Sequence, residues 1–191
     1  MELIFATGNA HKLEEAKLIL GSGLPSLKLL PHNSAEPVES GISFLENAMI
    51  KARAAFEATG LPAFADDSGI AVEVMGGAPG IFSAIWSGGR DDQVNRNLLL
   101  SQLVDIPDQH RAAAFVCTVA LVEAEGETSF TGVWPGKIAT EASGDAGFGY
   151  DPIFIPEGFD VTAAMLPAEI KSTYSHRAMA FGQMASFLAA R

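Results

Sequence analysis

Glu2-Leu3-Ile4-Phe5-Ala6 runs directly into Thr7-Gly8-Asn9 and then into Ala10-His11-Lys12-Leu13-Glu14-Glu15-Ala16. The first run is short and apolar, as a buried strand is. Leu13, Ala16 and Leu20 then recur at i, i+3 and i+7, the stripe of a helix that Gly21 or Gly23 can end. A strand feeding a helix through a brief polar turn begins the alternation from which the fold class is read.

Outward from there, Leu27–Leu30 reads as a second strand. Residues 31–42 read as a loop, with two prolines, Asn33, Ser34 and Gly41. Ser43-Phe44-Leu45-Glu46 has the capping-box pattern and predicts a helix to about Thr59, stopped by Gly60 and Pro62. A strand over Ala63–Asp66, a turn at Asp67-Ser68-Gly69 and a strand over Ile70–Val74 follow. Gly76-Gly77-Ala78-Pro79-Gly80 is loop, and Asp91–Val104 is a helix with Val94, Leu98 and Leu103 on one side. Residues 111–124 and 127–139 are long strands parted by Glu125-Gly126, which predicts an antiparallel hairpin. A glycine-rich loop covers Ser143–Asp151, a short strand Pro152–Ile155, and Ser175 caps a last helix. Helices and strands alternate at first and strands dominate later. The reading is an α/β or α+β protein on a mixed sheet, one domain over residues 1–191.

Composition narrows the classes. Of the 191 residues, 48% are hydrophobic and 18% charged, which favours a folded globular chain over a disordered one. The longest apolar run, Ala112–Val122, is too short to cross a bilayer and reads as a buried strand holding the single cysteine, Cys117. A lone cysteine in such a run is a structural thiol. The N-terminus lacks the basic and long apolar regions of a signal peptide, so a cytoplasmic location is expected. The net charge of −11 disfavours nucleic acid and anionic membranes as partners, while leaving room for a small anion held by a few placed cations.

Three segments can carry chemistry. Thr7-Gly8-Asn9-Ala10-His11-Lys12 lies at a helix start, where unpaired N–H groups and the helix dipole suit phosphate. It also fits an ordinary capped helix. Lys12 weighs against that plainer reading, because a cation in the first turn opposes the dipole by roughly 0.3–1 kcal/mol unless an anion is bound. The segment matches neither the P-loop nor the dinucleotide fingerprint. The same wrong-signed charge recurs at Ser175-His176-Arg177, four residues beyond Lys171, and two such cases favour converging anion sites.

Asp66-Asp67-Ser68-Gly69 is the second segment. Neighbouring side chains of a regular strand point to opposite faces, so both aspartates serve one site only if the turn re-aims one of them. The alternatives are an Asx turn, or a site with a carboxylate for Mg²⁺ and a base for water, to which Glu39 can add a second carboxylate. The third segment, Gly147-Phe148-Gly149-Tyr150-Asp151-Pro152, sets two aromatics among glycines. It suits either a flat base that needs a stacking partner or a loop anchored by its rings. The four histidines show no metal-ligand spacing, and no nucleophile elbow is present.

The motifs follow in a set order: Thr7-Gly8-Asn9 with Lys12, Glu39 and Gly41 before Phe44, Glu46-Asn47-Ala48, then Ala65-Asp66-Asp67-Ser68-Gly69. Gly76-Gly77-Ala78-Pro79-Gly80, Phe148-Gly149-Tyr150-Asp151-Pro152 and Lys171 with Ser175-His176-Arg177 complete the series. In that order, from Leu3 to the last helix, the chain resembles the inosine triphosphate pyrophosphatase family, which acts on noncanonical purine nucleoside triphosphates. The resemblance implies an α/β fold with a mixed, strongly twisted sheet, flanking helices and two lobes around a substrate cleft. It implies a homodimer, a Mg²⁺ requirement, and hydrolysis of dITP, ITP and XTP to monophosphate and pyrophosphate. It assigns the triphosphate to Thr7, Gly8, Asn9, Ala10, His11 and Lys12, the general base to Asp67, and the metal to Glu39 and Asp67, with Asp66 in a lesser part. Ser68 contacts substrate, and Phe148, Gly149, Tyr150 and Asp151 form the base and sugar pocket. Lys171, His176 and Arg177 close on the phosphates and the 6-oxo edge. One departure stands out: after Gly80-Ile81-Phe82-Ser83-Ala84 the family commonly has arginine and tyrosine, where this chain has Ile85 and Trp86. The competing readings are a pyrimidine-preferring pyrophosphatase and a nucleotide-binding protein without catalysis. Intact Glu39, Asp66 and Asp67 argue against the second.

Overall fold

Asn9 ends the first strand's connection and starts the first helix with one side chain, its Oδ1 accepting the N–H groups of His11 at 2.9 Å and Lys12 at 3.3 Å. The structure, a computed structural model, describes residues 1–32 and 37–190, with Ser22 described by its backbone alone. The chain order is β1 (Glu2–Phe5), α1 (Ala10–Gly23), β2 (Lys28–Pro31), α2 (Phe44–Thr59), β3 (Ala63–Val72), α3 (Asp92–Gln102), β4 (Ala112–Glu123), β5 (Gly126–Ile138), β6 (Phe154–Pro156), α4 (Ala168–Tyr174) and α5 (His176–Ala189). Short 3₁₀ turns lie between several of these. The strands form one sheet in the order β2-β1-β3-β4-β5-β6. It is mixed as expected, because β1 pairs in parallel with β2 and β3 while β5 and β6 are antiparallel.

Local chemistry explains most boundaries. Ser43 Oγ accepts Glu46 N–H at 3.2 Å, and Glu46 Oε2 reaches back to Ile42 N–H at 3.0 Å, one residue earlier than a standard capping box. Asp91 caps α3 through the N–H groups of Gln93 and Val94. Residues 33–36 of the loop expected over 31–42 lie outside the described residues.

The sheet corrects one expectation. Asp67-Ser68-Gly69 is no turn; β3 runs unbroken from Ala63 to Val72. Ser83 explains the glycine. A Cβ at position 69 would overlap Ser83 Oγ and the Gly80 carbonyl, so residue 69 is small for a close approach of chain to chain and not for a bend. The buried face of α3 is also shifted: Asn95, Leu99 and Leu103 are buried, while Val94 is exposed.

The chain forms two compact units, Met1–Asp67 with Cys117–Gly132 and His176–Arg191, and Ser68–Val116 with Val133–Ser175. In the first, strand alternation builds two apolar layers. Leu3, Phe5, Phe64, Cys117, Val119 and Leu121 pack with Leu20 of α1 and Phe181 and Met184 of α5. Phe5 stacks on Phe64 at 4.4 Å, and both meet Phe181 edge-on at 5.8 Å. Ile4, Ala6, Ala63, Ala65, Ala120 and Val122 join Ala48, Ala52 and Ala55 of α2 in the other layer. The second unit is built around Ile70, Val72, Leu99, Phe115, Trp134, Ile138 and Phe154. Buried Arg111 is satisfied there by carbonyl oxygens, Ile138 at 2.9 Å, Ala139 at 2.6 Å and Leu103 among them.

Candidate active site

β3 decides what its two aspartates can do. Asp66 shares the parity of Phe64, and Asp67 that of Ala63 and Ala65, so the carboxylates leave the strand toward different helices. Asp66 is fully buried against α1 and α5. Its Oδ2 lies 2.9 Å from Lys12 Nζ and 3.6 Å from Arg177 Nε. Burial alone would raise its pKa, but Lys12, Arg177 and Lys51 outweigh that and hold it well below the usual carboxylate range. Asp66 is therefore a fixed anion.

Asp67 faces α2. Its Oδ2 accepts a hydrogen bond from Asn47 Nδ2 at 3.2 Å, and its Oδ1 lies 3.8 Å from Lys51 Nζ. Glu39 Oε1 reaches the same ammonium at 2.6 Å. The Asn47 carboxamide also ties the loop carrying Glu39 to this group, because its Oδ1 accepts Gly41 N–H at 2.9 Å. Burial raises the Asp67 pKa, with Glu39 adding to the rise and Lys51 and Asn47 opposing it. A carboxylate pushed up in this way is better matched to proton abstraction near neutral pH than Asp66 is. Burial opposes the charge of Lys51, but Asp66, Asp67 and Glu39 outweigh it and keep the amine protonated.

Three of the cations singled out in the sequence, Lys12, Arg177 and Lys171, meet internal carboxylates. Lys12 pairs with Asp66. Arg177 at the start of α5 donates to Glu15 of α1 and lies against Asp66. Burial works against its charge, and Asp66 and Glu15 together raise its pKa further. Lys171 lies 2.7 Å from Asp151 Oδ2. The placement of Lys12 and Arg177 at helix starts thus needs no external anion by itself, and Lys171 lies in the last turn of α4. His176 is buried beside Arg177.

In the second unit Ser68 opens the distal half of β3, and Gly147–Asp151 forms an irregular loop. Tyr150 is buried and donates its hydroxyl to the Ser83 carbonyl at 2.7 Å, so it anchors the loop. Burial and the Asp92 carboxylate push its phenol pKa up, which keeps it a neutral donor. Phe148 is half-buried, with Lys171 Nζ 5.7 Å from its ring centroid. Asp151 Oδ2 accepts Phe148 N–H at 2.9 Å.

The two carboxylates that converge on one ammonium in the first unit suit a hard cation. Among the described residues no cluster of three His, Cys, Asp or Glu side chains is arranged to hold a metal. Mg²⁺ needs no such cage, since one or two carboxylates with phosphate oxygens and water complete its shell. Glu39 and Asp67 fit that ion.

Residues 3–187 match the Ham1 family. The chain belongs to the Ham1 family. A Leifsonia xyli protein named dITP/XTP pyrophosphatase is 55% identical, covering 100% of this chain and 96% of its own. A Mycobacterium tuberculosis protein of the same name is 50% identical, over 94% and 91%. The solved structure of a HAM1 protein from Coxiella burnetii superposes with a TM-score of 0.91 at 38% identity, covering 100% of both chains. The resemblance read from the ordered motifs is borne out.

Within this Ham1-family chain, Lys51 has no place in the ordered motifs, and Asn47 stands in them without a role. A signal for them exists: both lie at i, i+4 beside the alanine stripe Ala48-Ala52-Ala55, where a solvated residue has no place. Trp86, which departs from the family pattern, hydrogen-bonds Gln102 Oε1 through its indole N–H at 2.8 Å, and Ile85 is exposed. Cys117 is buried, as expected of a structural thiol, with burial and Asp66 raising its pKa.

Proposed function

We propose that this protein hydrolyses noncanonical purine nucleoside triphosphates, dITP, ITP and XTP, to the monophosphate and pyrophosphate, and so keeps deaminated purines out of the nucleotide pool. The observation that carries the chemistry is the group formed by Glu39, Lys51 and Asp67, in which a buried carboxylate stands beside a second carboxylate and a buried cation. The name borne by the full-length relatives supports the choice of substrate.

Asp67 takes a proton from the water that attacks phosphorus and cleaves the α–β anhydride bond, so that pyrophosphate leaves and the monophosphate remains. Glu39 and Asp67 would hold Mg²⁺, which would supply charge neutralisation on the phosphates. Lys12 and the start of α1 receive the leaving pyrophosphate, with Thr7, Gly8, Asn9, Ala10 and His11 around it. Lys51 neutralises charge beside the carboxylates. Phe148 stacks on the base, and Arg177 offers donors to the 6-oxo group while Glu15 and Asp66 keep its guanidinium fixed. A 6-amino base would leave such buried donors unpaired, a mismatch that can discriminate by about 10⁴-fold.

A homodimer and a cytoplasmic location belong to the same proposal. The first is supported by the family resemblance and by the exposed apolar side chains of Val74, Phe82 and Ile85. Among the described residues no helix is long and apolar enough to cross a membrane.

The test is kcat/KM for ITP, XTP, ATP, GTP and UTP with Mg²⁺. The proposal expects ITP and XTP to be turned over and ATP, whose base carries a 6-amino group, to be nearly inert. Equal rates on all five, or a preference for UTP, would overturn the substrate assignment.

A further inference from the structure

We propose that Asp92 and Arg96 of α3 are positioning residues that set the shape of the base pocket by gripping both backbone poles of Gly149; this rests on the reading of Phe148–Asp151 as that pocket. Asp92 Oδ2 accepts the Gly149 N–H at 2.8 Å, and Arg96 Nη1 donates to the Gly149 carbonyl at 2.7 Å. The two side chains are spaced i, i+4, so they rise from one face of the helix and meet a single residue of the loop. Both bonds are charge-assisted and stronger than the neutral contacts that usually pin a loop.

The gripped residue is the one the loop turns on. Gly149 has φ +58, a left-handed conformation that an L side chain resists, and it separates the two aromatic rings. On one side Phe148 N–H is held by Asp151, and on the other the Tyr150 hydroxyl is held by the Ser83 carbonyl. With Gly149 clamped at N–H and C=O, the rotation between those anchors is fixed, and the direction of Phe148 with it.

The clamp stands on firm ground. Asp91 fixes the first turn of α3. Asn95, on the same turn, is buried: its Oδ1 accepts Ser87 N–H at 2.7 Å, and its Nδ2 donates to the Ala84 and Gly89 carbonyls. The helix start is thus tied to the chain beneath it before it reaches the loop.

The test is steady-state kinetics with ITP on Arg96→Met, Arg96→Lys, Asp92→Asn and, as a direct probe of the pocket, Phe148→Ala. Arg96→Met keeps the stem and removes the donor, and should raise KM on the order of tenfold with kcat little changed. Arg96→Lys, whose ammonium can still reach the carbonyl, should recover most of the loss, and Asp92→Asn, which keeps an acceptor oxygen but loses the charge, should raise KM by less than Arg96→Met. If Phe148→Ala raises KM while neither Arg96→Met nor Asp92→Asn does, the clamp is overturned and the pocket reading stands. A loss of thermal stability in those variants with KM unmoved counts the same way, as a merely structural role. If Phe148→Ala leaves KM unchanged, the pocket reading falls and the clamp's role falls with it.

Discussion

Asp66 and Asp67 are neighbours in one unbroken strand and face opposite helices, Asp66 Oδ2 lying 2.9 Å from Lys12 Nζ and Asp67 Oδ2 accepting from Asn47 at 3.2 Å. Alternation along β3 turns one dipeptide into two carboxylates with pKa values pushed apart, one down and one up. Environments that separate two acids in this way suit them to different roles: Asp66 is an anion that holds Lys12 and Arg177, and Asp67 is the carboxylate to which the proposed function gives the part of base.

The two should therefore differ in stability. The folded pKa of Asp66 lies below its unfolded value of about 3.9, so its contribution is complete above that pH and is lost as the pH falls further. Asp66→Asn should destabilise the metal-free protein by about 3–5 kcal/mol at pH 7, since two buried cations lose a partner, and by less below pH 4. Asp67 has the reverse sign: ionised, it costs stability above its raised pKa, and the cost fades as the pH falls. Asp67→Asn should leave metal-free stability at pH 7 unchanged or higher. Urea unfolding at both pH values reads these differences, and equal losses in the two variants would contradict the assignment.

Lys51 and Glu39 should move the Asp67 titration in opposite directions. Lys51→Met removes an opposing cation and should raise the Asp67 pKa further, whereas Glu39→Gln removes a neighbouring anion and should lower it. Carboxyl NMR of the metal-free protein follows the group directly. A Lys51→Met variant with an unmoved Asp67 titration would show that the ammonium does not act on it.

Gly132 sets how closely α5 approaches β5. A Cβ at that position would overlap the His176 carbonyl and come 2.8 Å from Met179 Cβ, so Gly132→Ala must push away the turn that carries His176 and Arg177. Overpacking of this kind costs about 1–3 kcal/mol. The expected result is a lower melting temperature together with a reduced preference for ITP over ATP. Destabilisation with selectivity intact would show that the start of α5 is not where the base is read.

The capped helix starts were legible because capping is local: Asn9, Ser43 and Asp91 each satisfy N–H groups within three residues of themselves. So was the long strand holding Cys117, since its apolar run admits little else. Asp-Ser-Gly misled because its residues are turn formers by propensity, while the space beside Ser83 decides that Gly69 stays in a strand. α4 was missed for a related reason: Pro167 and Glu169 mark a helix start, but a helix of 7 residues leaves almost no periodicity. Lys51 and Asn47 were hidden because a polar residue on a helix looks solvated until the strand it faces is known. Asp92 and Arg96 carry no signal in the sequence beyond their i, i+4 spacing, and only the fold brings residue 149 to them.

The most direct measurement is ³¹P NMR of ITP with Mg²⁺, incubated with the wild-type protein and with Asp67→Asn. Inosine monophosphate and pyrophosphate are expected from the wild type and no turnover from the variant, with nucleotide binding retained. Orthophosphate with inosine diphosphate from the wild type, or near wild-type turnover by Asp67→Asn, would contradict the proposed function.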